Sequence, residues 1–125
     1  MFGKVLIIAA AVAFCLVNFG NAEHNIDQCA DPDIAVELLC SEDIKESGKF
    51  ARILKEVIDC PATGLNSDPI TCIKVTNKMG DDGGNAQIVS GGINYYSVEI
   101  LLESQWSKGL DYHIEVYTNP SRTTP

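Results

Sequence analysis

Gly109-Leu110-Asp111-Tyr112-His113-Ile114-Glu115-Val116-Tyr117 is the stretch whose reading decides the fold. Tyr112, Ile114 and Val116 alternate with Asp111, His113 and Glu115. A hydrophobic period of two marks a strand with one face buried and the other in water. Three further strands precede it. Ile70-Thr71-Cys72-Ile73-Lys74-Val75-Thr76 opens after Pro69 and is rich in β-branched residues. Ala86-Gln87-Ile88-Val89-Ser90 is short and stops at Gly91-Gly92. Tyr96, Val98, Ile100 and Leu102 alternate with Ser97, Glu99 and Glu103, interrupted only by Leu101, and place Tyr96 in the core. Turn residues separate them: Asn77 to Gly84, Gly91-Gly92 and Ser107-Lys108-Gly109. Strands this short at such spacing predict a mainly all-β chain, a small antiparallel β-sandwich.

The first half reads less cleanly. Glu23 to Pro32 is polar and without periodicity, an arm carrying Cys29. Ile34, Val36, Leu38 and Cys40 alternate as one strand face, and charged Glu42 to Lys49 reads as a connection. In the segment 50–58, Phe50, Ile53, Leu54, Val57 and Ile58 fall at helical spacing among good helix formers. Taken alone, this segment predicts an amphipathic helix; the strand reading needs Ile53 and Val57 on one face, Leu54 and Ile58 on the other.

Residues 1–22 read as an export signal. Lys4 is followed by an apolar run from Val5 to Val17, too short for a bilayer, which needs about 20 residues. Small residues Gly20 and Ala22 place the cut between Ala22 and Glu23. The remainder, 23–125, is one β-rich domain with no second stretch of membrane length. The full chain has 125 residues, 46% hydrophobic, and a net charge of −8. That charge opposes contact with a phosphate backbone, so no direct nucleic-acid partner is expected. The predicted location is secreted and extracellular.

Cys15 leaves with the signal, and Cys29, Cys40, Cys60 and Cys72 stay. Four cysteines in a small exported domain predict two disulfides, in any of three pairings. A zinc site would need closely spaced ligand pairs; there is no Cys-x-x-Cys, and His24 and His113 are remote in sequence from a cysteine pair.

No residue pattern names a reaction. Asp81-Asp82-Gly83-Gly84-Asn85 lacks the ligand spacing of a calcium loop and reads as a turn. Gly91-Gly92 is not followed by a helix, as a phosphate loop would be. Asp111, His113 and Glu115 share one strand face, which suits acid–base or metal chemistry in principle and a solvated surface more simply. No Gly-x-Ser-x-Gly nucleophile signature is present. Tyr95 and Trp106 lie in or near turns; an exposed aromatic there would serve a binding face, a packed one would cap the sandwich edge. The expectation is no enzyme, no catalytic residue, no metal and no cofactor.

The order Ile70-Thr71-Cys72-Ile73, then Gly83-Gly84-Asn85-Ala86-Gln87-Ile88-Val89-Ser90-Gly91-Gly92, then Gly109-Leu110-Asp111-Tyr112-His113-Ile114-Glu115-Val116-Tyr117 resembles the insect family named after multiprotein bridging factor type two. The match is good over Ile70 to Tyr117 and loose over Asp33 to Cys60. The resemblance implies a largely β fold, which draws 50–58 toward strand. It also implies two different roles. Many members are exported, often as salivary secreted peptides, which suits a non-enzymatic protein binding an extracellular protein or small ligand in secretion or haemolymph. The family's name comes from a silkworm transcription co-activator that bridges an activator and general transcription factors, and that is the alternative.

Overall fold

A computed structural model describes residues 23–120; the export signal, its cut after Ala22 and the polar tail lie outside the described residues. Seven strands run in chain order: β1 (Ile26–Gln28), β2 (Glu37–Glu46), β3 (Lys55–Cys60), β4 (Ile70–Asn77), β5 (Asn85–Gly91), β6 (Val98–Glu103) and β7 (Leu110–Thr118). They form two antiparallel sheets, ordered β1-β4-β7-β2 and β3-β6-β5. The all-β sandwich is the fold expected from the alternating strands.

The core is one cluster drawn from both sheets. Strand β7 sits inside the larger sheet, hydrogen-bonded to β4 on one side and β2 on the other. Its inward residues Leu110, Tyr112, Ile114 and Val116 are buried, while Asp111, His113 and Glu115 face outward and are only half-buried. Strand β6 has the same place in the smaller sheet, with Val98, Ile100 and Leu102 inward. Fully burying a residue of this size stabilises by about 1.5–3 kcal/mol. Two central strands therefore supply much of the apolar contact. One polar group comes in with them: the Tyr112 hydroxyl is buried without a hydrogen-bond partner among the described residues, and burial pushes its pKa up to about 12.

The segment 50–58 is not a helix. Phe50 to Leu54 is irregular, Ala51 has a left-handed φ of 57°, and strand β3 begins at Lys55. In β3, Ile58 and Cys60 point into the core, as does Leu54 before it, whereas Val57 is exposed. The helical stripe is thus split across two faces of a strand. Pairing with β6 along six residues, from Lys55 opposite Glu103 to Cys60 opposite Val98, outweighs local helix propensity.

Three other expectations change. Ile34 does not belong to a strand: Pro32–Ile34 forms a single 3₁₀ turn, capped by Asp31, whose side chain accepts a bond from Asp33 N at 3.1 Å. The strand instead runs Glu37–Glu46 through the supposed connection. A bulge between Leu38 and Cys40 switches faces, leaving Val36 and Leu38 exposed while Leu39, Cys40 and Ile44 pack on the core. The outer face of this edge strand accommodates Asp43 and Lys45, and Glu42, on the face of Cys40 and Ile44, is exposed at the sheet edge. The polar arm contains β1, three residues long and below the length at which periodicity shows. Tyr96 is half exposed, because Gly92 to Ser97 is a turn closed by Gly92 N donating to Ser97 O at 3.0 Å, and β6 begins only at Val98.

The two open sides of the sandwich are closed differently. On one, the arm laces both sheets: Glu23 exchanges two backbone hydrogen bonds with Ala86 of β5, then Ile26–Gln28 pairs with β4. Cys29 pairs with Cys72, directly across from it in the continued β1–β4 register. On the other, Cys40 of β2 pairs with Cys60 of β3, joining the edge of one sheet to the edge of the other. All four cysteines among the described residues are used.

Two outcomes follow for stability. Replacing Cys40 and Cys60 together by Ala lowers unfolding free energy in a denaturant titration by about 3 kcal/mol, the constraint lost on the unfolded chain for a loop of this size. Tyr112→Phe removes the unpaired hydroxyl and raises the same quantity by about 1 kcal/mol.

Candidate functional site

The outer face of the larger sheet carries a chain of polar side chains. The β2–β7 register sets Asp43 opposite His113, and Asp43 Oδ1 lies 2.7 Å from His113 Nδ1. His113 Nε2 is 3.6 Å from Glu115 Oε1, and the Tyr117 hydroxyl donates to Glu115 Oε2 at 2.7 Å. Lys78 Nζ stands 3.6 Å from Asp43. The hydrogen bond from the His113 ring holds the Asp43 carboxyl below its ordinary range, against the smaller desolvation effect, with the nearby charges of His113 and Lys78 adding to the lowering. The bond to Glu115 raises the Tyr117 phenol. The structure thus brings together His113 and Glu115 of the sequence-singled trio with Asp43, whose role depends on a strand pairing that sequence spacing does not show. Asp111 stands opposite Lys45 instead. Among the described residues no group of three His, Cys, Asp or Glu side chains is arranged to hold a metal.

Asp81 and Asp82 sit in the short 3₁₀ turn Gly80–Asp82. Asn77 Nδ2 donates to Gly80 O at 2.8 Å, and Gln105 Nε2 donates to Asp81 O and Gly83 O, each at 2.8 Å. Three carbonyls of this turn thus already accept side-chain hydrogen bonds that hold its shape. Gly84 packs so closely on Glu103 O that a Cβ there would overlap it. A structural turn accounts for these residues. Gly91 at φ 69° and Gly92 at φ 125° likewise lead into the turn before β6.

Carboxylates meet in two places. Asp59 and Glu99 are cross-strand neighbours on β3 and β6, and Asp59 raises the Glu99 carboxyl above its ordinary range through a shared hydrogen bond. The two line a depression of about 230 Å³ with Pro61 and Ser97. Across the side closed by Cys40–Cys60, Glu46 raises Glu56 in the same way.

Most of the exposed large apolar side chains lie at the two ends of the sandwich, while Leu38, Val57 and Val89 are exposed on strands. At one end, loops 61–69 and 92–97 are bonded together by Asn66 N to Tyr96 O and Ile70 N to Tyr95 O, both 2.8 Å. They present Leu65 (74% exposed), Tyr95 (62%) and Tyr96. Val36 joins this end through its bond to Thr118 O. No Lys or Arg lies in either loop. At the other end, the β2–β3 and β6–β7 loops present Phe50 and Trp106. Both Tyr95 and Trp106 are therefore exposed rather than caps on the edge. Clustered exposed aromatics of this kind mark contact surfaces more often than scattered single ones do.

The raised Glu99 gives a sign that can be checked. Its folded-state pKa is above the ordinary carboxylate value, so ionising it beside Asp59 works against the fold as pH rises through that range. Glu99→Gln leaves unfolding stability in acid close to that of the parent and makes it higher at neutral pH, measured as denaturation midpoints across pH.

Comparison with curated proteins finds no match, and neither does comparison with solved structures. One family model matches, described as transcription activator MBF2, over residues 35–118, from just before β2 to the end of β7. The matched span holds six of the seven strands, both sheets and both aromatic ends, and the chain belongs to the MBF2 family.

Proposed function

We propose that this chain is a non-enzymatic domain that works by binding other proteins. The family match over residues 35–118 carries the proposal, because the family is described as a transcription activator. That description supports a co-activator, a small rigid body that brings an activator and general transcription factors together by contact. The end formed by Leu65, Tyr95 and Tyr96 supports it in physical terms. Tyrosines of this kind supply a large apolar area with a polar tip at low entropic cost, which is what a protein partner uses at the centre of an interface. His113, engaged by Asp43 and Glu115 on a solvated sheet face, fits a stabilising ion network better than a reacting group.

A second reading rests on a different observation. Two disulfides join Cys29 to Cys72 and Cys40 to Cys60. Disulfides persist in oxidising compartments and are rare in nucleus and cytosol. They support a secreted protein whose partner is extracellular, in agreement with the export signal read at residues 1–22.

Expression of the full chain with a C-terminal tag in cultured cells tests both. The co-activator predicts nuclear signal and co-precipitation of general transcription factors, reduced at least about tenfold by Tyr95→Ala, the loss of one hot-spot contact. The extracellular reading predicts recovery from the medium, disulfide-bonded, with capture of a protein from secretion or haemolymph that is lost in the same variant. Capture of no protein in either setting overturns the proposal.

A further inference from the structure

The Phe50–Trp106 end carries exposed rings on fixed loops. Phe50 is 90% exposed and Trp106 is 61% exposed, yet the loops that carry them are braced. Ala51 N donates to Ser107 Oγ at 2.7 Å, Ser107 N to Arg52 O at 2.8 Å, and Ser104 N to Leu54 O at 2.8 Å. Leu54 N donates to Ser104 Oγ at 2.7 Å in return. The two rings meet at 6.3 Å between centroids, inclined by 54°. Each loop also holds a non-glycine residue in the left-handed region, Ala51 at φ 57° and Ser107 at φ 61°. That conformation is costly for a side chain with a Cβ and persists where surrounding bonds over-determine it. These contacts fix two loop tips so that aromatic rings point into solvent.

This end carries both signs of charge: Glu46 and Glu56 meet at the strand ends that bear the Phe50 loop, and cations stand at the loop itself. Lys49 and Arg52 flank Phe50 in a chain of net charge −8, and neither forms an ion pair among the described residues. Lys108, next to the other tip, is 3.7 Å from Asp82 and so offsets the acid nearest to it. The aromatic pair is convex: a ring exposed to this degree has no groove of this chain around it. Its occupant must close over the rings while meeting two cations. A lipid interface does this without a preformed cavity. Trp and Phe settle at the boundary between headgroups and acyl chains, and Lys and Arg are drawn to anionic headgroups.

We propose that the Phe50–Trp106 end docks on an anionic phospholipid surface, the two rings entering the interface while Lys49 and Arg52 contact the headgroups. Contact would be peripheral and reversible, made by loops and not by a spanning segment. It goes beyond the protein-binding reading and uses the opposite end of the sandwich, so either can fail alone.

Trp106 is the only tryptophan in the sequence, so its fluorescence reports on the site directly. The full chain, with both disulfides formed, is mixed with vesicles of phosphatidylcholine containing phosphatidylserine and with vesicles of phosphatidylcholine alone. The expected result is a blue shift of Trp106 emission and co-sedimentation with the anionic vesicles, both diminishing as salt is raised. The double variant Lys49→Glu/Arg52→Glu weakens that binding at least about tenfold, since each cation near such a surface contributes on the order of a tenfold factor or somewhat less. Phe50→Ser, at a position too exposed to matter for folding, weakens it too and keeps the Trp106 signal. An unmoved emission maximum with both vesicle types overturns the proposal. So does equal binding to both types, or binding that neither variant reduces. Capture of a soluble protein by this end, lost in Phe50→Ser while vesicles leave Trp106 unmoved, would give the surface to a protein instead and overturn it as well.

Discussion

The three-stranded sheet must be kept against the four-stranded one, and the rest of the structure depends on how that is done. A chain of this size buries a modest share of its unfolded surface, so the inward rows of β6 and β7 leave little margin. Sliding or splaying of the sheets is resisted at their sides. The Cys40–Cys60 bond ties the outermost strands on one side, and the arm from Glu23 to Cys29 crosses from β5 to β4 on the other. One closure is covalent. The other is a run of backbone hydrogen bonds, anchored by buried Ile26 and by the Cys29–Cys72 bond. The arm also covers part of the β4 and β5 edges, which would otherwise offer unpaired backbone groups to other chains.

Fixing the sides leaves the ends free to vary. Loops close both ends, most of them crossing from one sheet to the other, and loops on a rigid scaffold are where recognition residues collect. The exposed aromatic side chains follow that division, although Leu38, Val57 and Val89 are exposed on strands. The outward faces of β4 and β7 carry Lys74, Thr76, His113 and Glu115, whereas Leu65, Tyr95, Phe50 and Trp106 lie on loops. An acidic chain keeps itself apart from its own copies through net repulsion. That allows a few aromatic side chains to stay exposed without the chains associating indiscriminately.

Much of the fold was legible because four strands in the second half are buried on one face and show it. Tyr112, Ile114 and Val116 alternate without interruption, and the structure buries all three. Legibility failed where a pattern was too short or where a non-local constraint reset it. Strand β1 is three residues long. The bulge at Leu38/Cys40 shifts the faces of β2, so the face counted from Ile34 fails at Val36 and Leu38, which are exposed, and reaches the core only at Cys40. In 50–58 the helical spacing of the apolar residues is real, but Cys60 must reach Cys40 and β6 offers an edge to pair with; both lie far off in sequence. The turn at Asp81-Asp82-Gly83-Gly84 was readable from its residues. The polar chain on the larger sheet was only half readable, since His113 and Glu115 are on one strand and Asp43 arrives from another.

The backbone distinguishes exposed residues that merely escaped burial from those held out. A stray surface leucine needs no support, and its loop is free to relax into ordinary φ/ψ values. Phe50 and Trp106 sit beside Ala51 and Ser107, whose left-handed conformations are kept by side-chain and backbone bonds spanning more than fifty residues of sequence. Glycine would adopt either conformation with less strain. Stability alone would therefore favour glycine at Ala51 or burial of the rings, and this loop does neither. Asn94, in the turn beside Tyr95, repeats the arrangement at the opposite end with φ 71°, in a residue type that tolerates it better. Conformational cost is thus concentrated beside the exposed aromatics at both ends, as expected if the shape of those loops is retained for what they contact.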